Sequence, residues 1–513
     1  MNNLYDLLDR STSRFPDKTA LVFREQTITY ALLKDATDRL ASGINKMGIH
    51  AGDRIALMMP NIPHFPMCYF ALLKIGAVVV PVATYCKNEE IHHQLEEAEV
   101  RGILYWEGYR ENVTQIIRGL ERCQKRMVLG EKAAAGEIRM NYLMETSVPL
   151  QQIHATFPED TAVIVYTDRM KGRSKGVELT HQNLISNVEA CAQVFKLTAE
   201  DGTVGAIPFY HMLGQTLVMN LFLSVGACIV LMPRFQNDTF CQTFRQYRLT
   251  CCIVVPHMVE AIMGSEGLDP VDLATVRICL SSGDALKQET LDAFEHAFKV
   301  RILEGYGLTE ASPMVSFNSP KGERKAGSIG IPLPGIELKI VDENDTEIVP
   351  GKIGEIVVQG PNVMKGYLNR PEATKEALRD GWLRTGDIAL LDDSGDITVV
   401  ARKRNLIVKS GFVIHPNEVE NVLNAHPKIV ESVIVGLPDP VQGEEIHACV
   451  VLKDGESSNA SEITEFLKEQ IPIYKSPKIV LFVSSLPKGP TGRVIRDQVK
   501  QMLLDKEIPK KQP

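Results

Sequence analysis

Seven consecutive residues, Glu304-Gly305-Tyr306-Gly307-Leu308-Thr309-Glu310, place an aromatic ring between two glycines and follow it with a hydroxyl and a carboxylate. Glycines let backbone come close to a ligand, and the ring offers a stacking face. The hydroxyl suits a phosphate oxygen, and the carboxylate suits a hard cation. An apolar stretch, Val300 to Leu303, leads into the segment and reads as a strand. Taken alone, the segment reads equally well as a glycine turn carrying an exposed tyrosine.

Other segments stand around it in a fixed order. Ser281-Ser282-Gly283-Asp284-Ala285 precedes it. Trp382-Leu383-Arg384-Thr385-Gly386-Asp387, Arg402, Ser410-Gly411-Phe412 and Pro490-Thr491-Gly492-Arg493 follow. Phe15-Pro16-Asp17, Leu73-Lys74-Ile75-Gly76-Ala77, Pro208-Phe209-Tyr210-His211, Gly327-Ser328-Ile329-Gly330 and Pro438-Asp439 complete the set. In order and spacing, nearly end to end, the chain resembles the adenylate-forming (AMP-binding) superfamily, and within it the bacterial medium- and long-chain acyl-CoA synthetases.

The resemblance implies a role for each position. Tyr306 would stack on adenine within the Glu304-Gly305-Tyr306-Gly307 segment, and Gly283, Asp284 and Ala285 would line it. Thr309 would contact the α-phosphate, and Glu310 would hold Mg²⁺. Asp387, with Arg402 helping, would take both ribose hydroxyls, since a carboxylate can accept two hydrogen bonds at once. Asp387 alone could equally cap the turn after Thr385-Gly386. The family works in two steps, adenylation of a carboxylate by ATP and then transfer of the acyl group to CoA, with a small domain rotating between them. Arg404 falls at the pivot, where the family usually has Asp or Lys. Gly411 would line the pantetheine channel in the second state. His211 would stand at the mouth of the acyl pocket with Met212 and Gly214 beside it; an isolated His of this kind is otherwise a core residue. ATP, CoA and Mg²⁺ are the implied cofactors, and a small carboxylic acid is the partner.

The chain departs from that pattern at the adenylation step. The phosphate loop usually holds a run of Ser, Thr and Gly before Pro-Lys-Gly. Here Tyr166-Thr167 and Lys175-Gly176 keep the flanks, with Thr167 and Lys175 as site positions, while Asp168, Arg169, Met170 and Lys171 replace the hydroxyls and glycine that would cradle the β- and γ-phosphates. Arg169, Lys171, Arg173 and Lys175 leave the loop basic, able to attract polyphosphate by charge or to stand as a solvated loop. Arg493 occupies the place of the lysine that bridges substrate carboxylate and α-phosphate, a planar fork instead of a compact ammonium. Ala401 replaces a common Asp. Two readings stay open: a working acyl-CoA ligase, or an adenylation-impaired homologue that binds nucleotide, acyl-CoA or a partner.

After His211 the sequence runs Met212-Leu213-Gly214-Gln215-Thr216-Leu217-Val218. It has no Asp for an α-amino group and no Arg for a second carboxylate. An apolar tail, hence a medium- or long-chain fatty acid, fits first and an aryl acid second. Ordinary helix core fits as well.

Elements that could position these groups are legible from periodicity. Residues 29–47 read as an amphipathic helix, Arg54 to Met59 as a buried strand, and Phe70 to Ile75 as helix ending at Gly76. Ala77 to Val82, Ala162 to Tyr166, Ala227 to Met232, Cys252 to Val255 and Arg277 to Ser281 read as further strands. Their alternation with helices predicts an α/β fold with parallel layers, then a β-rich region from Gly327 to Val400. At 513 residues the chain exceeds one core. The expected organisation is a large domain over 1–403, of layered α/β subdomains plus a β-rich one, and a small mobile α+β domain over 404–513. A net charge of −8 implies no basic field, so nucleic acid is not an expected partner. No basic n-region leads into an apolar run at the N-terminus, and no stretch nears the ~20 apolar residues of a membrane span, so a soluble, cytoplasmic protein is expected. The ten cysteines include no C-x-x-C pair and are expected as buried small hydrophobes.

Overall fold

The computed structural model describes residues 1–167, 174–265, 269–320, 324–325, 327–410, 412–489 and 492–505. Asp168 to Lys171, Arg173 and Gly411 lie outside the described residues, as does the side chain of Arg404. The chain has the expected mixed α/β architecture, with a large N-terminal and a small C-terminal domain. By packing, the described residues form two compact units: a larger one of 1–167, 174–338 and 358–383, and a smaller one of 339–357 and 384–505.

An eight-stranded sheet dominates the larger unit. Its order is Gly366–Tyr367, Gly176–Thr180, Thr161–Tyr166, Val78–Pro81, Arg54–Met58, Gly102–Trp106, Lys125–Leu129, Glu137–Arg139. From Thr161–Tyr166 onward every neighbouring pair is parallel. That is why Val78, Val79 and Val80 form a continuous buried run instead of alternating: both faces of such a strand are covered. Helix Tyr30–Lys46 starts where the Thr29 hydroxyl accepts the Leu32 N–H at 3.2 Å. Helix His64–Lys74 is buried from Phe65 to Lys74, and the Lys74 ammonium, 1% exposed, is paired at 2.6 Å with Asp38 of Tyr30–Lys46. A second sheet orders Cys251–Val254, Ile278–Ser282, Ile302–Gly307, Met314–Phe317 and Ile331–Pro332, the first three parallel. A four-stranded sheet orders Gly202–Gly205, Cys228–Leu231, Thr19–Phe23 and Gln26–Thr29.

In the smaller unit, strands Ile429–Asp439 and Gly443–Leu452 form a long antiparallel pair. Ile407–Lys409, Phe412–Ile414 and Ile479–Phe482 complete its sheet. Period-2 alternation splits the apolar residues between two cores. Ile434, Ile446, Ala448 and Val450 pack with Val419, Leu423, Ile463 and Leu467 of helices Pro416–Asn424 and Ala460–Lys468. Val433, Val435 and Cys449 pack with Val499 of helix Arg496–Leu504. All ten cysteines are free thiols, eight of them buried, as small hydrophobes in a core would be. Among the described residues no helix is long and apolar enough to cross a membrane.

Candidate functional site

In the larger unit, Ile278–Ser282 and Ile302–Gly307 lie side by side and parallel, with Ser281 opposite Glu304 and Ser282 opposite Gly305. Their carboxyl ends therefore release Gly283-Asp284-Ala285 and Tyr306-Gly307 next to each other, the edge where open α/β sheets bind ligands. The Ser282 hydroxyl donates to the Gly305 carbonyl at 2.8 Å, and Gly283 turns the chain with φ +99°. Asp284 Oδ1 accepts the Ala285 N–H at 3.1 Å.

Glu304 is buried, and its carboxylate is committed to backbone. Oε1 accepts the Leu286 N–H at 3.1 Å and Oε2 the Gly327 N–H at 3.0 Å. Burial holds its carboxyl above the ordinary range, opposed by those two amides. The residue joins the 283–286 turn to the Gly327 loop. The glycines around Tyr306 have an intrachain reason. A Cβ on Gly305 would meet the Phe317 ring at 2.2 Å, and one on Gly307 the Pro313 carbonyl oxygen at 2.1 Å. Close approach was expected toward a ligand; the space is taken by the chain's own neighbouring strand. Tyr306 is 8% exposed and pairs with Ser316.

Thr309 and Glu310 sit on the short turn Thr309–Ala311. Three buried asparagines hold it and the segments beside it. Asn362 Nδ2 donates to the Ala311 carbonyl at 2.8 Å, and Asn187 Nδ2 to the Met314 carbonyl at 2.7 Å. Asn183 Nδ2 donates to the Pro361 and Val363 carbonyls, each at 2.8 Å. Asn183 and Asn187 are four apart on helix His181–Phe195, hence on one face, and Asn183 also closes the capping box with Thr180. Met364 N–H donates to the Glu310 carbonyl at 2.9 Å, and the Tyr367 hydroxyl donates to Glu310 Oε1 at 2.9 Å. Lys175 Nζ lies 4.4 Å from the centroid of the Tyr367 ring. Thr167 N–H donates to the Lys175 carbonyl at 3.0 Å, directly beyond the Tyr166–Gly176 strand pair, so both flanks of residues 168 to 173 are fixed.

The donor set here is chemically right for Mg²⁺: a carboxylate and a hydroxyl, both oxygen. Among the described residues no cluster of three or more His, Cys, Asp or Glu could hold a metal without help. A single carboxylate would suit a cation that arrives bound to a phosphate ligand and keeps much of its water.

His211 Nδ1 accepts the Leu213 N–H at 3.2 Å, and the His211 carbonyl accepts the Gln215 N–H at 2.9 Å. Met212 is buried. A Cβ on Gly214 would lie 2.3 Å from the Pro208 carbonyl oxygen, so this glycine too is required by packing. It opens a wide-turn π-helix, Gly214–Asn220, a form enriched at functional sites. The helix interior is less apolar than expected: Gln215 Oε1 accepts from the Tyr69 hydroxyl at 3.2 Å, and Asn220 Nδ2 donates to that hydroxyl at 3.3 Å.

In the smaller unit, Asp387 is 2% exposed. It lies opposite Arg402 in the Trp382–Leu391 and Ile397–Arg402 strand pair, and Arg402 Nε stands 2.9 Å from Oδ1. The Thr385 hydroxyl donates to the Ile356 carbonyl at 2.8 Å and accepts the Asp387 N–H at 3.1 Å. Glu355 Oε1 accepts the Gly386 N–H at 3.1 Å, and Oε2 stands 3.4 Å from Arg384 and 3.3 Å from Lys403. The aspartate is thus positioned by backbone on one side and by a guanidinium on the other. Arg493 lies between Ile479–Phe482 and Arg496–Leu504, where Lys488 bridges Val494 and the Arg493 carbonyl accepts the Gly489 N–H at 2.9 Å.

Two family matches decide what this arrangement belongs to: AMP-binding enzyme over residues 8–368, and AMP-binding enzyme C-terminal domain over 418–493. The chain is a member of the AMP-binding enzyme family. Among its relatives in that family, the long-chain-fatty-acid–CoA ligase of Bacillus subtilis is 34% identical, covering 96% of this chain and 93% of its own. The enzyme of the same name from Escherichia coli O6:H1 is 30% identical over 97% and 94%. Among solved family structures, ATP-bound MatB from Rhodopseudomonas palustris superposes with a TM-score of 0.89 at 28% identity, covering 99% of this chain and all of that one. A fatty acyl CoA synthetase from Mycobacterium tuberculosis gives 0.79 at 25%, over 98% and 99%.

The fold brings Gly283, Asp284 and Ala285 together with Gly305, Tyr306 and Gly307. It joins Glu310 to Lys175 through Tyr367, and Asp387 to Arg402. The sequence reading passed over Tyr367, Glu355 and the three asparagines. Asn183 and Asn187 carried a signal, two amides at helical spacing beside apolar residues. Tyr367 and Glu355 carried none without the partners they meet far along the chain.

Proposed function

We propose that this chain is an AMP-forming acid–thiol ligase that activates a medium- or long-chain fatty acid. A carboxylate oxygen attacks the α-phosphorus of ATP, pyrophosphate leaves, and an acyl-adenylate forms. The sulfur of CoA then attacks the acyl carbon, its proton passing to solvent, and AMP leaves. The observation that carries this reading is the match along nearly the whole chain to ligases of that name. The absence of a charged residue from Met212 to Val218 supports an apolar acid over an amino acid or a dicarboxylate.

In this reading Tyr306 supplies the adenine face, and Gly283 to Ala285 its border. Thr309 binds the α-phosphate and Asp387 the ribose. Glu310 holds Mg²⁺, which when bound draws charge from the phosphate oxygens. Lys175 attends the leaving phosphates, and Arg493 bridges carboxylate and α-phosphate. His211, Met212 and Gly214 border the acid. Arg404 is the pivot between a domain of 1–403 and one of 404–513, and Gly411 borders the pantetheine.

The test is acid-dependent AMP formation with ATP, CoA and a panel of acids. Acids of about eight to sixteen carbons should yield AMP and acyl-CoA together, and amino acids and dicarboxylates neither. AMP release with an aryl acid and none with any fatty acid would move the substrate assignment; none with any acid would remove the ligase reading.

A further inference from the structure

Tyr367 stands between the two charged groups that the nucleotide reading needs in the larger unit. Its short strand Gly366–Tyr367 pairs with Gly176–Thr180, and its N–H donates to Thr374 Oγ1 at 2.9 Å. Leu368 N–H donates to the Gly176 carbonyl at 2.7 Å. A Cβ on Gly366 would meet Thr374 Cγ2 at 2.8 Å, so the backbone is seated closely on that residue. From this fixed base the hydroxyl reaches Glu310 Oε1 at 2.9 Å, while the ring carries Lys175 Nζ 4.4 Å from its centroid.

We infer that Tyr367 is a positioning residue that couples the cation-binding carboxylate to the phosphate-loop lysine. A carboxylate has two oxygens and room for about four hydrogen bonds or metal contacts. A donor fixed on Oε1 sets the plane of the group and leaves Oε2 for the cation. The ring face meanwhile holds the Lys175 ammonium by cation–π attraction, which gives the lysine a defined rest position. One side chain thereby sets the distance between the positive and negative partners of a polyphosphate. This inference rests on the nucleotide reading of the site.

The hydroxyl and the ring can be removed separately. Tyr367→Phe keeps the ring; Tyr367→Leu removes both. ATP binding is measured by calorimetry on the full chain, without acid or CoA, in EDTA and across a Mg²⁺ series. Tyr367→Phe should raise the Mg²⁺ concentration for half-maximal enhancement of ATP binding about three- to tenfold, less than the full loss of a charge-assisted hydrogen bond because Glu310 keeps its charge and only its orientation is released, and leave ATP affinity in EDTA near wild type. Tyr367→Leu should in addition weaken ATP in EDTA. If that variant does not fold, Lys175→Gln supplies the same arm and should weaken ATP in EDTA with little change in the Mg²⁺ midpoint. A Tyr367→Phe protein with the wild-type Mg²⁺ midpoint, or a lower one, overturns the inference and leaves the proposed function standing. A wild-type protein whose ATP binding ignores Mg²⁺ overturns the assignment of Glu310 itself.

Discussion

Asp387→Asn isolates the charge at the proposed ribose contact with almost no change of shape. Asp387 is 2% exposed, and Arg402 Nε stands 2.9 Å from Oδ1, so the carboxylate is held as an anion in a buried place where a diol would meet it in the proposed role. The asparagine keeps one carbonyl oxygen but presents an NH₂ in place of the other. A hydrogen bond to a charged group contributes ~1.5–3 kcal/mol, so AMP should bind about 10- to 150-fold more weakly. Arg402 keeps 26% of its side chain exposed, so water can solvate the guanidinium and the folding cost should stay near ~1 kcal/mol. The assay is calorimetric titration of wild type and variant with AMP and with 2′,3′-dideoxy-AMP, well below either melting temperature. Wild type should prefer AMP by roughly the same factor, and the variant should lose most of that preference, because the two deletions remove one interaction from opposite sides. A variant that binds AMP weakly yet keeps the wild-type preference over the dideoxy nucleotide would refute the reasoning, since the loss would then come from disturbed structure.

Three further outcomes are expected. Arg493→Lys should raise the rate of ATP–pyrophosphate exchange about ten- to a hundredfold, because a compact ammonium can approach the carboxylate and bridging oxygen where a guanidinium plane must tilt; an unchanged rate would place the limit elsewhere. With synthetic lauroyl-AMP and CoA, thioester formation should outpace the forward adenylation half-reaction, and the reverse order would show that the substitutions at 168–171 and 493 are harmless. His181 is buried, with Nδ1 accepting the Leu4 N–H at 2.9 Å, and burial pushes its imidazole down to about 4. The unfolded chain therefore binds a proton that the folded one refuses, and stability falls as pH drops from about 6.5 toward 4, by ~3 kcal/mol; His181→Asn should flatten that part of the urea-denaturation profile, and an unchanged slope would contradict it.

Local pattern carried much of the fold because period and punctuation are local properties. The helix expected at 29–47 is Tyr30–Lys46, and the run expected at 54–59 is Arg54–Met58. Glu310 and Asp387 stand out in the sequence because carboxylates beside glycine and hydroxyl residues announce their chemistry locally. The site was illegible where a residue serves through distant partners. Glu304 looked like part of a ligand contact and is occupied by the amides of Leu286 and Gly327. Gly214 looked like room for an acyl tail and is demanded by the Pro208 carbonyl. Tyr367 meets Glu310 across 57 positions of sequence, and no window along the chain contains both.

The anchors on either side of residues 168 to 173 have a practical meaning for engineering. Tyr166 is paired with Gly176, Thr167 N–H is bonded to the Lys175 carbonyl, and Ser174 Oγ accepts from Gln94 Nε2 at 3.1 Å. Anchors of this kind make the intervening residues a cassette. Six positions, 168 to 173, can be exchanged as one insert, from a library or from another ligase, against a frame that stays constant. Selection on such a library would read the chemistry of the insert alone, and several inserts could be ranked side by side as spare parts for a single chassis.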